Sequence, residues 1–259
     1  MKNRRGFTLI ELLVVVAIIA LLIAILVPGL GLARKRAKTV VCMTNERNLA
    51  YSFRSYLTDW NTALQSSGHG GKFGAWDYQL LGVGMSQTTY YANNARRDAT
   101  DRLRWCPETT QARRAGPPVG TASSPWDCRY GNYGGSTGSY ALNNFVYRSD
   151  AVSSRNGSLS KADYYAIKTV KTDFSVPLFV DAVWHDFIPR ATDKPLANLE
   201  DPEAGSSADR TMGDIAINRH KKAVNVSFLD AHVETVKLGD LWTLKWSATW
   251  TRTTPEIVR

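Results

Sequence analysis

Two histidines and an aspartate near the C-terminal end of the chain are suited to metal binding or acid-base chemistry. His220 and Asp230 flank a β-branched apolar run, and His232 follows shortly after; Asp181, with His185 and Asp186 close by in sequence, can supplement them. Imidazole and carboxylate groups ligate zinc and transfer protons. An extended run separates His220 from Asp230 by up to about 30 Å, unless the chain turns early. We therefore expect both to be structural residues of a hairpin, with no metal bound.

Other kinds of site lack a supporting pattern. No nucleophile motif, phosphate-binding loop, dinucleotide fingerprint or closely spaced cysteine pair occurs, so we expect neither enzymatic activity nor a cofactor. The loop carboxylates Asp201, Glu203 and Asp209 lack EF-hand spacing and favour a solvated acidic loop over a calcium site. The tyrosines and tryptophans of the head are expected to fill its core and interfaces, so nucleic acid is not an expected partner. They are Tyr90, Tyr91, Tyr130, Tyr133, Trp242, Trp246 and Trp250.

Glu11 is the one charged residue in an apolar stretch, 7–27, that follows the cations Lys2, Arg4 and Arg5. A helix of that length spans about 31 Å, the thickness of a bilayer's hydrocarbon core. The stretch is too long for a secretory signal peptide and has no small-residue cleavage site after it. A plain signal anchor remains an alternative, but it does not explain an acidic side chain that costs about 2.5–3.5 kcal/mol at the centre of a membrane helix.

The residues around Glu11 resemble a known family. Arg5-Gly6-Phe7-Thr8-Leu9-Ile10-Glu11 is similar to the leader and helix start of type IV pilins and type II secretion pseudopilins. The resemblance implies that a prepilin peptidase cuts after Gly6 and methylates the amine of Phe7. It also implies that Glu11 pairs with the Phe7 amine of a neighbouring subunit during assembly, which offsets the burial of both charges. Pro28 lies where many pilins have a helix-kinking proline.

The head resembles bacterial prepilin-like proteins that carry an H-X9-DG region. His220 and Asp230 have the separation of that pattern, whereas Ala231 stands where the family has glycine, the residue that permits a positive φ. Shorter matches occur in the family's order at 41–45, 105–107 and 138–143.

Helical periodicity predicts one long helix from about Thr8 to about Trp60. Its apolar stripe contains Leu49, Phe53, Tyr56, Leu57 and Trp60, with Glu46, Arg47, Arg54 and Asp59 off the stripe. A bend or local melting is expected at Pro28, beside two glycines.

Beyond residue 61 the chain becomes rich in turn residues, with a short helix expected near 76–81 and strands near Tyr140, at 175–181, at 223–229 and at 233–238. Alternation in 223–229 predicts a strand with one buried face. The predicted fold is an α+β, type IV pilin-like protein: a long, membrane-inserted N-terminal helix forms the spine of a C-terminal head with an antiparallel sheet. The expected segments are the leader 1–6, the transmembrane helix 7–27, its continuation 28–60 and the head 61–259, with the H-X9-D region at 220–230.

Three cysteines follow the predicted membrane stretch, and an extracytoplasmic head permits disulfides. Cys106 and Cys128 are the expected pair because both flank turn-rich chain with little core of its own; two separate buried thiols are the alternative. The state of Cys42 is left open.

The predicted function is that of a structural subunit, a pseudopilin or minor pilin, assembled into a pseudopilus or pilus-like filament. Its expected partners are the prepilin peptidase, other pilin-like subunits, an inner-membrane assembly platform and membrane lipid.

The formal net charge of +9 includes three leader cations, and Arg34-Lys35-Arg36 is the tightest basic cluster. Under the positive-inside rule, that cluster favours a cytoplasmic location for the chain after the membrane segment, whereas the leader cations favour a cytoplasmic N-terminus. The leader motif decides for a single pass through the inner membrane with the N-terminus inside. The head is then extracytoplasmic, in the periplasm or on a surface filament after assembly. The alternative is a membrane-tethered binding module that does not polymerise.

Overall fold

A single long helix dominates the architecture. The computed structural model describes residues 8–65, 76–81, 102–109, 120–127, 137–148, 160–165, 175–194 and 211–251. Helix α1 (Leu9–Trp60) has 52 residues and passes through Pro28 without interruption. It ends where Asn61 adopts a left-handed conformation at φ 48°, a common way for an α-helix to terminate. These bounds confirm the predicted helix, while a kink at Pro28 stays a prediction.

The head is built on a mixed five-stranded sheet. Its described strands are β3 (Tyr140–Asn143), β4 (Pro177–Asp181), β5 (Asp186–Phe187), β6 (Ala223–Phe228) and β7 (Val233–Lys237), after a two-stranded pair β1 (Trp126–Asp127) and β2 (Thr137–Gly138). The order in the sheet is β5-β3-β4-β6-β7. All neighbours are antiparallel except β3 and β5, which are parallel. The predicted α+β fold is confirmed, with one parallel pair at an edge of the sheet.

The second half of α1 packs on this sheet, chiefly against β6, with further contacts to β4 and β7 and to the short helix α2 (Trp76–Leu81). The buried helix positions recur at three- and four-residue spacing: Cys42, Glu46, Leu49, Ala50, Phe53 and Leu57. Full burial of each large apolar side chain contributes about 1.5–3 kcal/mol. Leu49, Phe53 and Leu57 match the predicted stripe, whereas Trp60 is 60% exposed.

Two further expectations about burial were wrong. Glu46 was expected off the apolar stripe, yet it is completely buried because its position falls between Cys42 and Leu49 on the helix face that meets the sheet. Strand β6 was expected to bury one face, yet every residue in it is buried. Its polar side chains form hydrogen bonds inside the protein: the Ser227 hydroxyl accepts from the Phe179 amide at 3.2 Å, and Asn225 Oδ1 accepts from Thr235. Asn225 Nδ2 is buried without a partner among the described residues.

The first half of α1 extends away from the head. Residues 9–37 are exposed, and the helix first becomes partly buried at Lys38 and Thr39. That free length corresponds to about 43 Å of helix, with the apolar residues of 9–27 on every side of it. Helix α1 therefore has an exposed first half, largely apolar, and a second half packed in the head. The two halves meet around Thr39–Cys42.

Candidate functional site

Glu11 lies in the first turn of α1, where it forms a capping box with Thr8. The Glu11 Oε2 atom accepts from the Thr8 amide and from the Thr8 hydroxyl, both at 2.8 Å, and the Glu11 amide donates to Thr8 Oγ1 at 3.3 Å. Such a reciprocal pair satisfies amide donors that a helix N-terminus leaves unpaired. Glu11 therefore has a local role that the family resemblance did not predict. Gly6 and Phe7, the expected cleavage and methylation positions, lie outside the described residues.

The helix that carries Glu11 is long and apolar enough to cross a membrane, and its apolar window is not buried in the protein. Leu9, Ile10 and Ile25 have more than 70% of their surface exposed. In water, so large an exposed apolar surface is unfavourable, which indicates an environment of lipid or of other apolar helices.

The predicted hairpin turn forms at the far end of β6 from His220. The amide of His232 donates to Asp230 Oδ1 at 3.0 Å, so Asp230 stabilises the turn as expected. The His232 ring also contacts the Asp230 carboxylate, and it stacks on Phe228 with ring centroids 4.2 Å apart. Ala231 has φ 70°, the left-handed region that favours the glycine of the family pattern. The turn therefore uses a positive φ despite the alanine.

His220 does not meet Asp230 but belongs to a buried cluster at the helix–head junction. Its Nε2 atom lies 3.1 Å from Asp181 Oδ2 and 3.5 Å from Cys106 Sγ. The Cys42 thiol donates to Asp181 Oδ1 at 3.4 Å. One ligand-type atom from each of Cys42, Cys106, Asp181 and His220 lies within 4.8 Å of the other three, and all four residues are buried. We call these four residues the junction cluster.

Each residue of the junction cluster comes from a different part of the fold. Cys42 lies where α1 enters the head, and Asp181 is the last residue of β4. Cys106 follows the segment 102–105, and His220 precedes β6, where its amide donates to the Ala223 carbonyl oxygen. The Cys106 backbone is anchored because its carbonyl oxygen accepts from both the amide and the hydroxyl of Thr109.

Neighbouring charges and hydrogen bonds oppose the effect of burial on pKa at three of the four residues of this cluster. Burial alone lowers the pKa of His220, but the adjacent Asp181 carboxylate outweighs it and raises that pKa to about 10. Burial likewise raises the pKa of Asp181, but His220 and Arg219 outweigh it and lower that pKa to about 2. The pKa of Cys106 is raised by burial, yet hydrogen bonding with Cys42 and His220 and the charge of Arg219 bring it down to about 7. Burial raises the pKa of Cys42 well above its usual value, with Cys106 and Asp181 adding to the effect.

Arg219 and Glu46 are buried charged side chains beside the junction cluster whose burial sequence reasoning missed. The guanidinium of Arg219 donates to four backbone carbonyl oxygens, those of Thr121, Ala122, Ser139 and Ala182, and to Asp181 Oδ1. Glu46 has no hydrogen-bond partner for either carboxylate oxygen among the described residues. Burial, followed by the charges of Asp181 and Cys106, raises its pKa well above the usual range. The spacing of Glu46 one turn after Cys42 was the available signal for this placement.

The remaining predicted site residues are distributed as follows. Cys106 is a free, buried thiol and Cys128 lies outside the described residues, so their disulfide stays a prediction. Asp201, Glu203 and Asp209 lie outside the described residues, as do Tyr90, Tyr91, Tyr130 and Tyr133. Trp242 and Trp246 are core residues as expected, and Trp250 packs against the core. His185 and Asp186 form their own buried pair, with His185 Nδ1 at 3.4 Å from Asp186 Oδ1.

Comparison with known proteins identifies the N-terminal segment. Residues 1–27 match the prokaryotic N-terminal methylation motif. The N-terminal region is also 52% identical, over 63 residues, to the type IV wide pilus major component PilA4 of Thermus thermophilus. That alignment covers 24% of this chain and 47% of the relative, so the chain matches about half of the relative's length. No solved structure matches the chain. The chain thus carries a prepilin-type N-terminus and is type IV pilin-like in that region.

Proposed function

We propose that the chain is a structural subunit, a pseudopilin or minor pilin, of a type IV pilus-like or type II secretion filament. A prepilin peptidase removes the leader 1–6 and methylates the Phe7 amine. Residues 7–27 anchor the subunit in the inner membrane, with the N-terminus inside, until an assembly platform moves it into the filament. Residues 28–60 continue the helix into the extracytoplasmic head, 61–259.

The observation that carries this proposal is the exposed apolar stretch 9–27 of α1, which lies within the matched methylation motif and contains one acidic residue. An apolar helix exposed on all sides is compatible with lipid or with a bundle of similar helices. The carboxylate distinguishes the two environments, because it is costly in lipid, whereas between helices it can pair with the amine of a neighbouring subunit. The capping bonds of Glu11 both use Oε2, and a carboxylate can accept further bonds at its other oxygen. Capping and intermolecular pairing are therefore compatible.

A membrane-tethered binding module that never polymerises is the second candidate, and the capping box favours it. Thr8 gives the Glu11 carboxylate two donors within its own chain, so a neighbouring subunit is not needed to explain why an acidic residue occurs there. Under this alternative, Glu11 contributes to helix initiation and has no role between subunits.

Three variants separate the candidates. Glu11→Gln keeps a side chain that can complete a capping box but removes the charge, and Glu11→Val removes both. Thr8→Ala removes the capping hydroxyl while keeping the carboxylate. If Glu11 pairs with the Phe7 amine, both Glu11 variants lose crosslinked oligomers in cells with an active assembly machine, and Thr8→Ala retains them. Equal yields of crosslinked oligomers in the wild type and in all three variants would instead support the tethered module.

Processing is tested by intact-mass analysis of protein extracted from membranes. The expected mature chain starts at N-methylated Phe7, and the bulky Gly6→Val substitution should leave the leader attached. Glu11→Gln serves as the matched control, because it lies beyond the cut and should be processed normally. A wild-type chain that retains Met1 in cells with active peptidase would contradict the proposal.

A further inference from the structure

We propose that Cys42, Cys106, Asp181 and His220 bind a zinc ion that ties the N-terminal helix to the sheet of the head. This inference does not depend on whether the subunit polymerises. It starts from the arrangement of the four ligand-type atoms, which lie within 4.8 Å of one another. Around a tetrahedral zinc ion, with bonds of about 2.0–2.3 Å, neighbouring ligand atoms are separated by about 3.3–3.8 Å. Cys106 Sγ lies 3.5 Å from His220 Nε2, which is close to that spacing. The two oxygens of Asp181 face different neighbours, with Oδ1 at 3.4 Å from Cys42 Sγ and Oδ2 at 3.1 Å from His220 Nε2.

The residues around the junction cluster orient its ligands as zinc binding requires. His220 directs Nε2 into the cluster, and its Nδ1 atom lies 3.3 Å from the Thr39 hydroxyl. The hydroxyl can accept from Nδ1–H while donating to the Lys35 carbonyl oxygen, which is also 3.3 Å away. Once Nε2 has released its proton, that arrangement leaves a lone pair on Nε2 for a metal. Metal-binding histidines characteristically use their second ring nitrogen in such an outer hydrogen bond.

The sulfur and carboxylate ligands also have outer partners. The Tyr140 hydroxyl donates to Cys42 Sγ at 3.3 Å, a bond that stabilises a thiolate. Asp181 Oδ2 accepts from the Asn225 amide at 2.9 Å, and Oδ1 accepts from Arg219 at 3.3 Å. These bonds hold the carboxylate in one orientation while leaving lone pairs for a cation.

Glu46 is an independent indication that a cation belongs beside the cluster. It lies one helical turn after Cys42, is completely buried, and has neither carboxylate oxygen hydrogen-bonded among the described residues. Asp181 and Cys106 are close enough to act on it electrostatically. A buried carboxyl group without a hydrogen-bond partner is costly, and burial raises its pKa, so its charged form needs a nearby cation. A divalent cation beside it would offset that cost, as it would the charges of two thiolates and Asp181.

The ligand set favours zinc over the hard cations. Two thiolates, an imidazole nitrogen and a carboxylate oxygen suit zinc, whereas calcium and magnesium take oxygen ligands. All four ligands are buried, which is typical of a closed structural site without an open position for substrate. Binding requires deprotonated thiols and neutral imidazole, so the two cysteines and His220 release protons as zinc enters.

The site would crosslink elements that are distant in sequence. Cys42 belongs to α1 where it enters the head, whereas Asp181 and His220 belong to the sheet and to the loop before β6. A metal held by all of them fixes the direction in which the exposed half of α1 leaves the head. The zinc site would stabilise this junction, through which force passes between the head and a membrane or filament.

The test uses the full chain purified in mild detergent without chelators. Elemental analysis should find about one zinc per chain, as expected for a four-ligand site. Cobalt exchanged for zinc should give thiolate charge-transfer absorption and the visible bands of a tetrahedral ion. Cys42→Ser and His220→Ala should lose the metal and the cobalt spectrum. The matched control is His232→Ala, which should retain both because His232 lies in the turn at the other end of β6.

The wild-type measurements decide the question even if a cysteine or histidine variant fails to fold. Wild-type chain that neither contains zinc nor gives a thiolate–cobalt spectrum would overturn the proposal. A Cys42–Cys106 or Cys106–Cys128 disulfide, found by non-reducing peptide mapping of the membrane-extracted protein, would also overturn it. Retention of the metal in folded Cys42→Ser or His220→Ala would show that these residues are not its ligands.

Discussion

Replacing Arg219 with alanine should be among the most destabilising single substitutions in the head. The Arg219 side chain is fully buried, and its guanidinium donates to Ser139 at 2.6 Å, Thr121 at 3.0 Å, and Ala122 and Ala182 at 3.1 Å, all at backbone carbonyl oxygens. It also pairs with Asp181 at 3.3 Å. A single side chain thus joins the segment before β1, the start of β3 and the end of β4.

The magnitude follows from the groups that the substitution leaves without a partner. Each buried acceptor that loses its donor costs about 1–3 kcal/mol, and removing one member of a buried ion pair costs about 3–5 kcal/mol. These costs overlap, because His220 and Asn225 still contact Asp181. We therefore expect Arg219→Ala to lower the free energy of unfolding by about 3–5 kcal/mol, a large part of the 5–15 kcal/mol typical of a domain. Arg219→Lys should cost less, about 2–3 kcal/mol, because an ammonium group keeps the charge but cannot reach carbonyls on opposite sides.

The assay is thermal unfolding of the full chain in mild detergent, followed by tryptophan fluorescence. At about 2–4 °C per kcal/mol for a domain of this size, Arg219→Ala should lower the Tm by about 6–20 °C. The matched control is Arg47→Ala on the exposed side of α1, which should change stability by less than about 0.5 kcal/mol. If the free energy of unfolding of Arg219→Ala lies within about 1 kcal/mol of the wild-type value, the inference that this guanidinium organises the head is wrong.

Three further predictions concern the hairpin and the spine helix. Ala231→Gly removes the strain of a left-handed conformation, which costs alanine about 1–2 kcal/mol. The substitution also loses a buried methyl group and raises the entropy of the unfolded chain. The Tm should therefore stay level or rise slightly, and a clear fall in Tm would contradict the strain. Asp230→Ala should lower the Tm near neutral pH. Burial raises the pKa of Asp230, but its bonds to His232 outweigh burial and leave that pKa below its usual value. The stabilising charge is therefore present at neutral pH and lost as the pH falls through the lowered pKa. Melting curves measured across acid pH should show the Tm difference between Asp230→Ala and wild type disappearing below that pKa. A Tm difference that stays constant with pH would contradict a stabilising role for the Asp230 charge. Phe53→Ala should cost about 3–5 kcal/mol in denaturant unfolding, whereas Tyr51→Ala, which is 55% exposed on the same helix, should cost little; equal losses would contradict the packing of α1 on β6.

The sequence by itself determined the features that depend on local patterns. The length of the apolar stretch, the helical spacing of Leu49, Phe53 and Leu57 and the alternation near the C-terminus predicted α1 and the principal strands, because secondary structure follows periodicities within a few residues. The match of residues 1–27 to the methylation motif is local in the same sense. The Asp230 turn was also predictable, because an aspartate side chain bonds backbone two residues later.

The junction cluster was decided by the tertiary structure. Cys42, Cys106, Asp181 and His220 come together when α1 packs across the sheet, and no spacing between them resembles a metal motif. The same packing buries Glu46, which local periodicity had placed off the apolar stripe. Within the head, three segments distant in sequence surround Arg219 with carbonyl groups. The positive φ of Ala231 is likewise imposed by the pairing of β6 with β7, since alanine has no local preference for that conformation. Contacts between residues distant in sequence form only when the chain folds. Local patterns therefore predicted the helix and the strands, whereas the packing of α1 on the sheet brought the residues of the junction cluster together.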